Sequence, residues 1–132
     1  MNREELSWAA GFFDGEGSIS AWVSINKSVP YPYYRYTKIR LIIAQVPDKE
    51  CFGEEYSSLL EKFESIFNKV HFYHRLDRRL AYPNKQNCSY IEVSTFEKVQ
   101  YIACLMWPWL GQPKKDQYIR CAKEYLDGKR LA

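Results

Sequence analysis

Residues 9–17 run Ala9, Ala10, Gly11, Phe12, Phe13, Asp14, Gly15, Glu16, Gly17, and one kind of pattern gives way to another across them. Upstream, Asn2 and Glu5 have the spacing of a capping box, and the apolar run from Leu6 to Phe13 follows. This predicts a helix over residues 3–14, stopped by Gly15 and Gly17. Downstream the period changes to two. Ile19, Ala21, Val23 and Ile25 alternate with Ser18, Ser20, Trp22, Ser24 and Asn26, the pattern of a half-buried strand over residues 18–27.

Working outward, Val29-Pro30-Tyr31-Pro32 forms a turn region, and residues 33–46, rich in Tyr, Thr and Ile, form a second strand. Asp48 can cap a helix that carries Phe52, Tyr56, Leu59, Leu60, Phe63, Ile66 and Phe67 on one face. A third strand over residues 70–79 alternates His71, Tyr73, Arg75, Asp77 and Arg79 against Val70, Phe72, His74 and Leu76. Residues 81–87 form a loop and residues 88–94 a fourth strand. Ser94 and Glu97 have capping-box spacing and open a helix with Phe96, Val99, Ile102, Ala103, Met106 and Leu110 in register, perturbed near its end by Pro108. Pro113 suits the first turn of a last helix, with Tyr118, Cys121, Ala122 and Tyr125 on its inner face. The order is α-β-β-α-β-β-α-α, an α+β class, and residues 1–132 show no linker that would split them into two domains.

Charge is distributed in blocks. Residues 17–47 and 69–90 each carry a net +4, while residues 1–16 carry −3 and residues 48–68 carry −4. The basic blocks coincide with the two predicted hairpins and the acid with helices. One sheet face must cover the core, which leaves the other with Ser, Asn, Tyr, Arg and Lys, a composition suited to nucleic acid. No apolar run approaches the roughly 18 residues of a membrane span. The N-terminus lacks the pattern of a secretory signal, so an intracellular, reducing compartment is expected. Cys51, Cys88, Cys104 and Cys121 are too dispersed for a zinc module. His71 and His74, three apart on a strand, face opposite ways and do not form a joint metal site.

Asp14 and Glu16 lie where the first helix ends. A helix C-terminus carries partial negative charge, so each acid there is unfavourable by some tenths of a kcal/mol unless a cation offsets it. Glycines at 15 and 17 free the backbone, and a hard ion such as Mg2+ suits the oxygen donors. The segment from Ala9 to Gly17, with Trp8 just upstream, resembles the signature of the LAGLIDADG homing endonucleases in a variant carrying Phe, Gly and Glu substitutions. The predicted element order is also similar to that family's αββαββα fold, with its four-stranded antiparallel, saddle-shaped sheet.

The resemblance implies a sequence-specific double-strand DNA endonuclease that hydrolyses phosphodiester bonds with a divalent cation, Mg2+ or Mn2+, and a metal-activated water. One motif copy implies a homodimer on a near-palindromic site, the motif helices meeting through Ala9, Ala10 and Phe13. By the same resemblance Glu16 and the Gly15 carbonyl bind metal, and Asp14 is structural. A polar residue after the second strand, Gln45 or Asp48, organises water. Lys114, or Lys115 if the match slips by one, completes the site. The DNA-reading face would comprise Ser20, Trp22, Ser24, Asn26, Lys38, Arg40, Gln45, His71, Tyr73, Arg75 and Arg79, with Lys27 and Lys85 at hairpin tips on phosphate. The alternative on the same fold is a DNA-binding regulator without cleavage, or a maturase whose partner is intron RNA.

Overall fold

The computed structural model describes residues 2–28, 34–77 and 87–131. Helix α1 spans Arg3–Glu16 and carries the predicted capping box: the Glu5 amide donates to Asn2 Oδ1 at 2.8 Å, and the Asn2 amide donates to Glu5. The helix runs through Gly15, two residues further than predicted, and passes directly into β1 (Gly17–Asn26), which pairs antiparallel with β2 (Tyr34–Gln45).

The second helix departs from expectation. Residues predicted to begin it form a small hairpin instead, β3 (Lys49–Cys51) and β4 (Glu54–Tyr56), turning at Phe52 and Gly53 with φ of 52° and 82°. Gly53 suits that left-handed turn, and Phe52 is left fully exposed rather than buried. Helix α2 is therefore short, Ser58–Ile66, with Ser57 as its cap. The spacing of Phe52 and Tyr56 with Leu60 fits a helix, but the turn chemistry at Gly53 overrides it.

Strand β5 (Tyr73–Asp77) is shorter than predicted; Val70 lies in the turn after α2, and Phe72 is buried in the core. Arg79 and Lys85 lie outside the described residues. Strand β6 (Cys88–Val93) alternates strictly between buried and half-buried. Helix α3 (Phe96–Met106) is capped by Thr95 without a side-chain hydrogen bond, so the Ser94–Glu97 box does not form. Pro108 converts the end of the helix into a single 3-10 turn, Trp107–Trp109, and α4 (Gln112–Leu131) follows.

The sheet order is β1-β2-β6-β5, all antiparallel. Each hairpin contributes its second strand to the centre, where Ile43 faces Ile91 and Leu41 faces Val93. These four side chains, with Ile19 and Ile39, form the underside of the sheet. Ala9, Ala10 and Phe13 of α1, Leu60 and Phe63 of α2, and Val99, Ile102 and Met106 of α3 close over it. Trp107 and Trp109 pack on the edge of this core. No helix among the described residues is long and apolar enough to cross a membrane.

Candidate active site and nucleic-acid face

The helix-to-strand junction is tight. The Gly17 amide donates to the Phe13 carbonyl, and a Cβ on Gly17 would lie 2.1 Å from the Phe13 ring. Only glycine lets the chain turn over that buried ring. Ending the helix at Glu16 leaves the carbonyls of its last turn without intrahelical partners, Gly15 among them.

Helix α4 docks its first turns against this junction. The Gly111 amide donates to both Asp14 carboxylate oxygens, at 3.1 and 2.9 Å. The Ile19 amide donates to Gln117 Oε1 at 2.8 Å, and the Cys121 thiol donates to the Ile19 carbonyl. Burial pushes the Cys121 thiol pKa up, which keeps the group a neutral donor. Lys114 Nζ lies 5.9 Å from the centre of the Phe13 ring, while Lys115 turns to Trp107 at 5.5 Å. Of the two lysines, Lys114 is thus the one beside the end of α1.

Asp14 is accordingly a bracket between α1 and α4. Glu16 is exposed, and among the described residues no hydrogen bond or ion pair engages it. Asp48 is committed elsewhere. One of its oxygens accepts from the Ser58 amide at 2.8 Å and the other from the Ser58 hydroxyl, and these bonds hold its carboxyl below the usual range. It caps α2 from outside the helix, with both oxygens engaged there. Among the described residues no three His, Cys, Asp or Glu side chains cluster to hold a metal. One carboxylate and the free carbonyls of a helix end suit a cation that keeps water and phosphate oxygens as its other ligands, which is the habit of Mg2+.

Ala9, Ala10 and Phe13 have no exposed surface; they belong to the chain's own core, so they are not available as a contact face. The outward stripe of α1 is instead Ser7, Gly11 and Gly15, and a Cβ added at Gly11 or Gly15 would meet nothing within 4 Å.

The register places Ser20 opposite Arg40, Trp22 opposite Lys38 and Ser24 opposite Tyr36, all on the face away from the helices. Tyr73 and Arg75 of β5 share that face through Glu92 and Tyr90 of β6. Cations there lie on aromatic rings: Arg75 over Tyr90 at 4.5 Å, Arg40 over Trp22 at 5.2 Å, Lys38 over Tyr36 at 5.3 Å. Asn26 ends β1, where its backbone pairs with β2. His71 precedes β5 and meets Tyr73 edge to face. Gln45 does not share the face: it follows Leu41 and Ile43 on the helix side of β2. His74 points to that side too and pairs with Glu64 at 2.7 Å.

Sequence reasoning missed Gly111, Gln117 and Glu92. Nothing local marks the first two, because their partners lie about a hundred residues away. Glu92 was visible as an acid at a polar position of an alternating strand.

No family model matches the chain, and no curated protein sequence matches it. Solved structures do. The homing endonuclease I-CvuI in complex with its target superposes with a TM-score of 0.68 at 18% identity, over 98% of this chain and 73% of that one. The homing endonuclease I-TnaI gives 0.59 at 16%, over 95% and 74%. The LAGLIDADG homing endonuclease I-LtrWI bound to target DNA gives 0.62 at 22%, over 92% of this chain but 37% of that one. The chain therefore has the α+β homing-endonuclease fold. More particularly, it is the fold of the LAGLIDADG homing endonucleases.

Proposed function

We propose that the chain is a DNA endonuclease that hydrolyses phosphodiester bonds, acting as a homodimer on a site with approximate two-fold symmetry. One observation carries this reading: an unpartnered carboxylate, Glu16, ends a helix that α4 holds beside Lys114, where that helix enters a sheet whose open face bears Arg and Lys on aromatic rings. I-CvuI and I-LtrWI, which share the fold, are described as complexes with target DNA.

Glu16 and the Gly15 carbonyl would hold a divalent cation, Mg2+ or Mn2+, which supplies positive charge for the phosphate and lowers the pKa of a bound water. The chain's own residues do the rest. Lys114 would bring an ammonium to the end of α1 to receive phosphate charge. Asp14, by holding Gly111, sets the start of α4 and with it the position of Lys114. The sheet face would lie along the duplex, Arg and Lys supplying affinity and base contacts supplying preference.

A single α1 has one Glu16, and cutting two strands takes two, which a symmetric pair provides. The small stripe Ser7, Gly11 and Gly15 would let two α1 helices approach closely. Plasmid nicking with and without Mg2+ tests the reading. Cleavage at a selected site in Mg2+ and none in chelator supports it; binding without cleavage under any divalent cation would leave only the DNA-binding regulator.

A further inference from the structure

An acid stands near the middle of the face proposed to bind DNA. Glu92 lies on β6, facing Ile42 of β2 and Tyr73 of β5. Its Oε2 is 3.6 Å from Arg40 Nη1, and the Arg40 guanidinium also lies over the Trp22 ring. Both side chains stay within reach of a ligand, 34% exposed for Arg40 and 28% for Glu92. Arg40 is held by the ring and the carboxylate together, yet its Nε is buried without a hydrogen-bond partner. The clamp fixes the group while 34% of the Arg40 side chain stays exposed, so an acceptor can meet the guanidinium from outside.

A carboxylate in such a place works against phosphate affinity, since it neutralises an arginine the duplex would otherwise attract. What it adds is an acceptor directly beside a planar donor. In the major groove a G·C pair presents the matching order: two acceptors, O6 and N7, on guanine, then the N4 amino donor on cytosine. No other pair presents that order in that direction. An A·T pair would set the thymine O4 acceptor against the carboxylate.

We propose that Glu92 is a specificity-determining residue, and that with Arg40 it reads one G·C pair, Arg40 donating to guanine and Glu92 accepting from the cytosine amino group. This rests on the reading of the sheet as a DNA face. Trp22 acts as a positioning residue that keeps the guanidinium in plane.

The test is a binding selection from a randomised duplex library, followed by competition with all four base pairs at each half-site position. The unmodified protein should prefer G·C at one symmetric pair of positions by a factor of roughly ten to a hundred. Arg40→Ala and Glu92→Ala should each lose preference at that same position and keep it at the others. Glu92→Ala should bind unrelated DNA as well as or better than the unmodified protein, having lost a negative charge. Glu92→Gln keeps the shape and can donate as well as accept, so it should come to tolerate A·T there. The inference is overturned if Glu92→Ala weakens every sequence alike, or if Arg40 and Glu92 variants alter different positions. If the unmodified protein selects no sequence at all, the reading of the sheet fails and takes this inference with it. A selected site unaffected by Glu92 variants sinks the inference alone.

Discussion

Replacing Gly17 by alanine should unfold the junction on which the site is built, and the expected size follows from one contact. The Gly17 backbone is extended, φ −92° and ψ 166°, a conformation alanine adopts freely. Chain entropy alone would then make the substitution stabilising, by about 0.4–1 kcal/mol. Contact decides otherwise. The new Cβ would lie 2.1, 2.2 and 2.7 Å from three carbons of the Phe13 ring. Carbons rest about 3.5 Å apart, so the ring would have to retreat by roughly 1.4 Å. Phe13 is wholly buried, and a close-packed interior offers no such room. The upper end of overpacking, about 3 kcal/mol, is expected. For a chain of 132 residues that lowers the melting temperature by about 10 °C.

Gly15→Ala is the control. It is the same change two residues earlier, within α1 and with nothing within 4 Å of the added carbon. Removing a helical glycine there should raise stability by up to about 1 kcal/mol. Both variants are best melted in a Gly11→Leu background, so that association through α1 does not enter. Circular dichroism melts should then bracket the parent, Gly17→Ala below it and Gly15→Ala at or above it. A Gly17→Ala protein that melts with the parent would refute the packing of Phe13 beneath the turn.

Glu16→Gln should lose cleavage in Mg2+ while DNA affinity, measured by fluorescence anisotropy, holds or rises; near-normal cutting would remove Glu16 from the chemistry. Lys114→Met should slow cleavage by about a hundredfold, the scale of one positioned charge, and Lys115→Met by little. Gly11→Leu should leave the chain folded and make it monomeric by sedimentation equilibrium; a persisting dimer would move the interface off α1. Asp48→Asn should be less stable than the parent at neutral pH. Because the folded-state pKa of Asp48 lies below 3.8, its contribution is present above that value and fades as pH falls through the folded pKa. The two melting curves should therefore converge on acidification, and a gap that stayed constant down to strong acid would argue against the Ser58 bonds.

Where one local rule acted alone, the chain was legible. The capping box at Asn2, the alternation of β1 and the break at Pro108 each depend on residues a few positions apart, and each is present. Asp48 was legible as a cap, although it reaches Ser58 across a hairpin rather than opening the helix itself. The hairpin was hidden because Phe52, Tyr56 and Leu60 keep a helical spacing that the turn at Phe52 and Gly53 does not use. The buried state of Ala9 and Ala10 was hidden for a related reason. Small residues on a helix allow close approach by any partner, and here the partner is the chain's own core.

The site was legible in proportion to how far it broke a local rule. Two acids at the end of α1, with no basic residue in its last turn, oppose the helix dipole and call for positive charge from elsewhere. That imbalance can be seen in nine residues. What answers it cannot, because the Gly111 amide and the Lys114 ammonium arrive from 97 and about 100 residues downstream. They also answer it unequally. Asp14 takes its hydrogen bonds from a backbone amide and is satisfied within the chain, whereas Glu16 takes none. The local violation therefore resolves into one acid that organises the fold and one that, among the described residues, no hydrogen bond or ion pair engages. A group left in that second state, open to solvent at the end of a helix packed into the core, is where a cation and a phosphate would find their place.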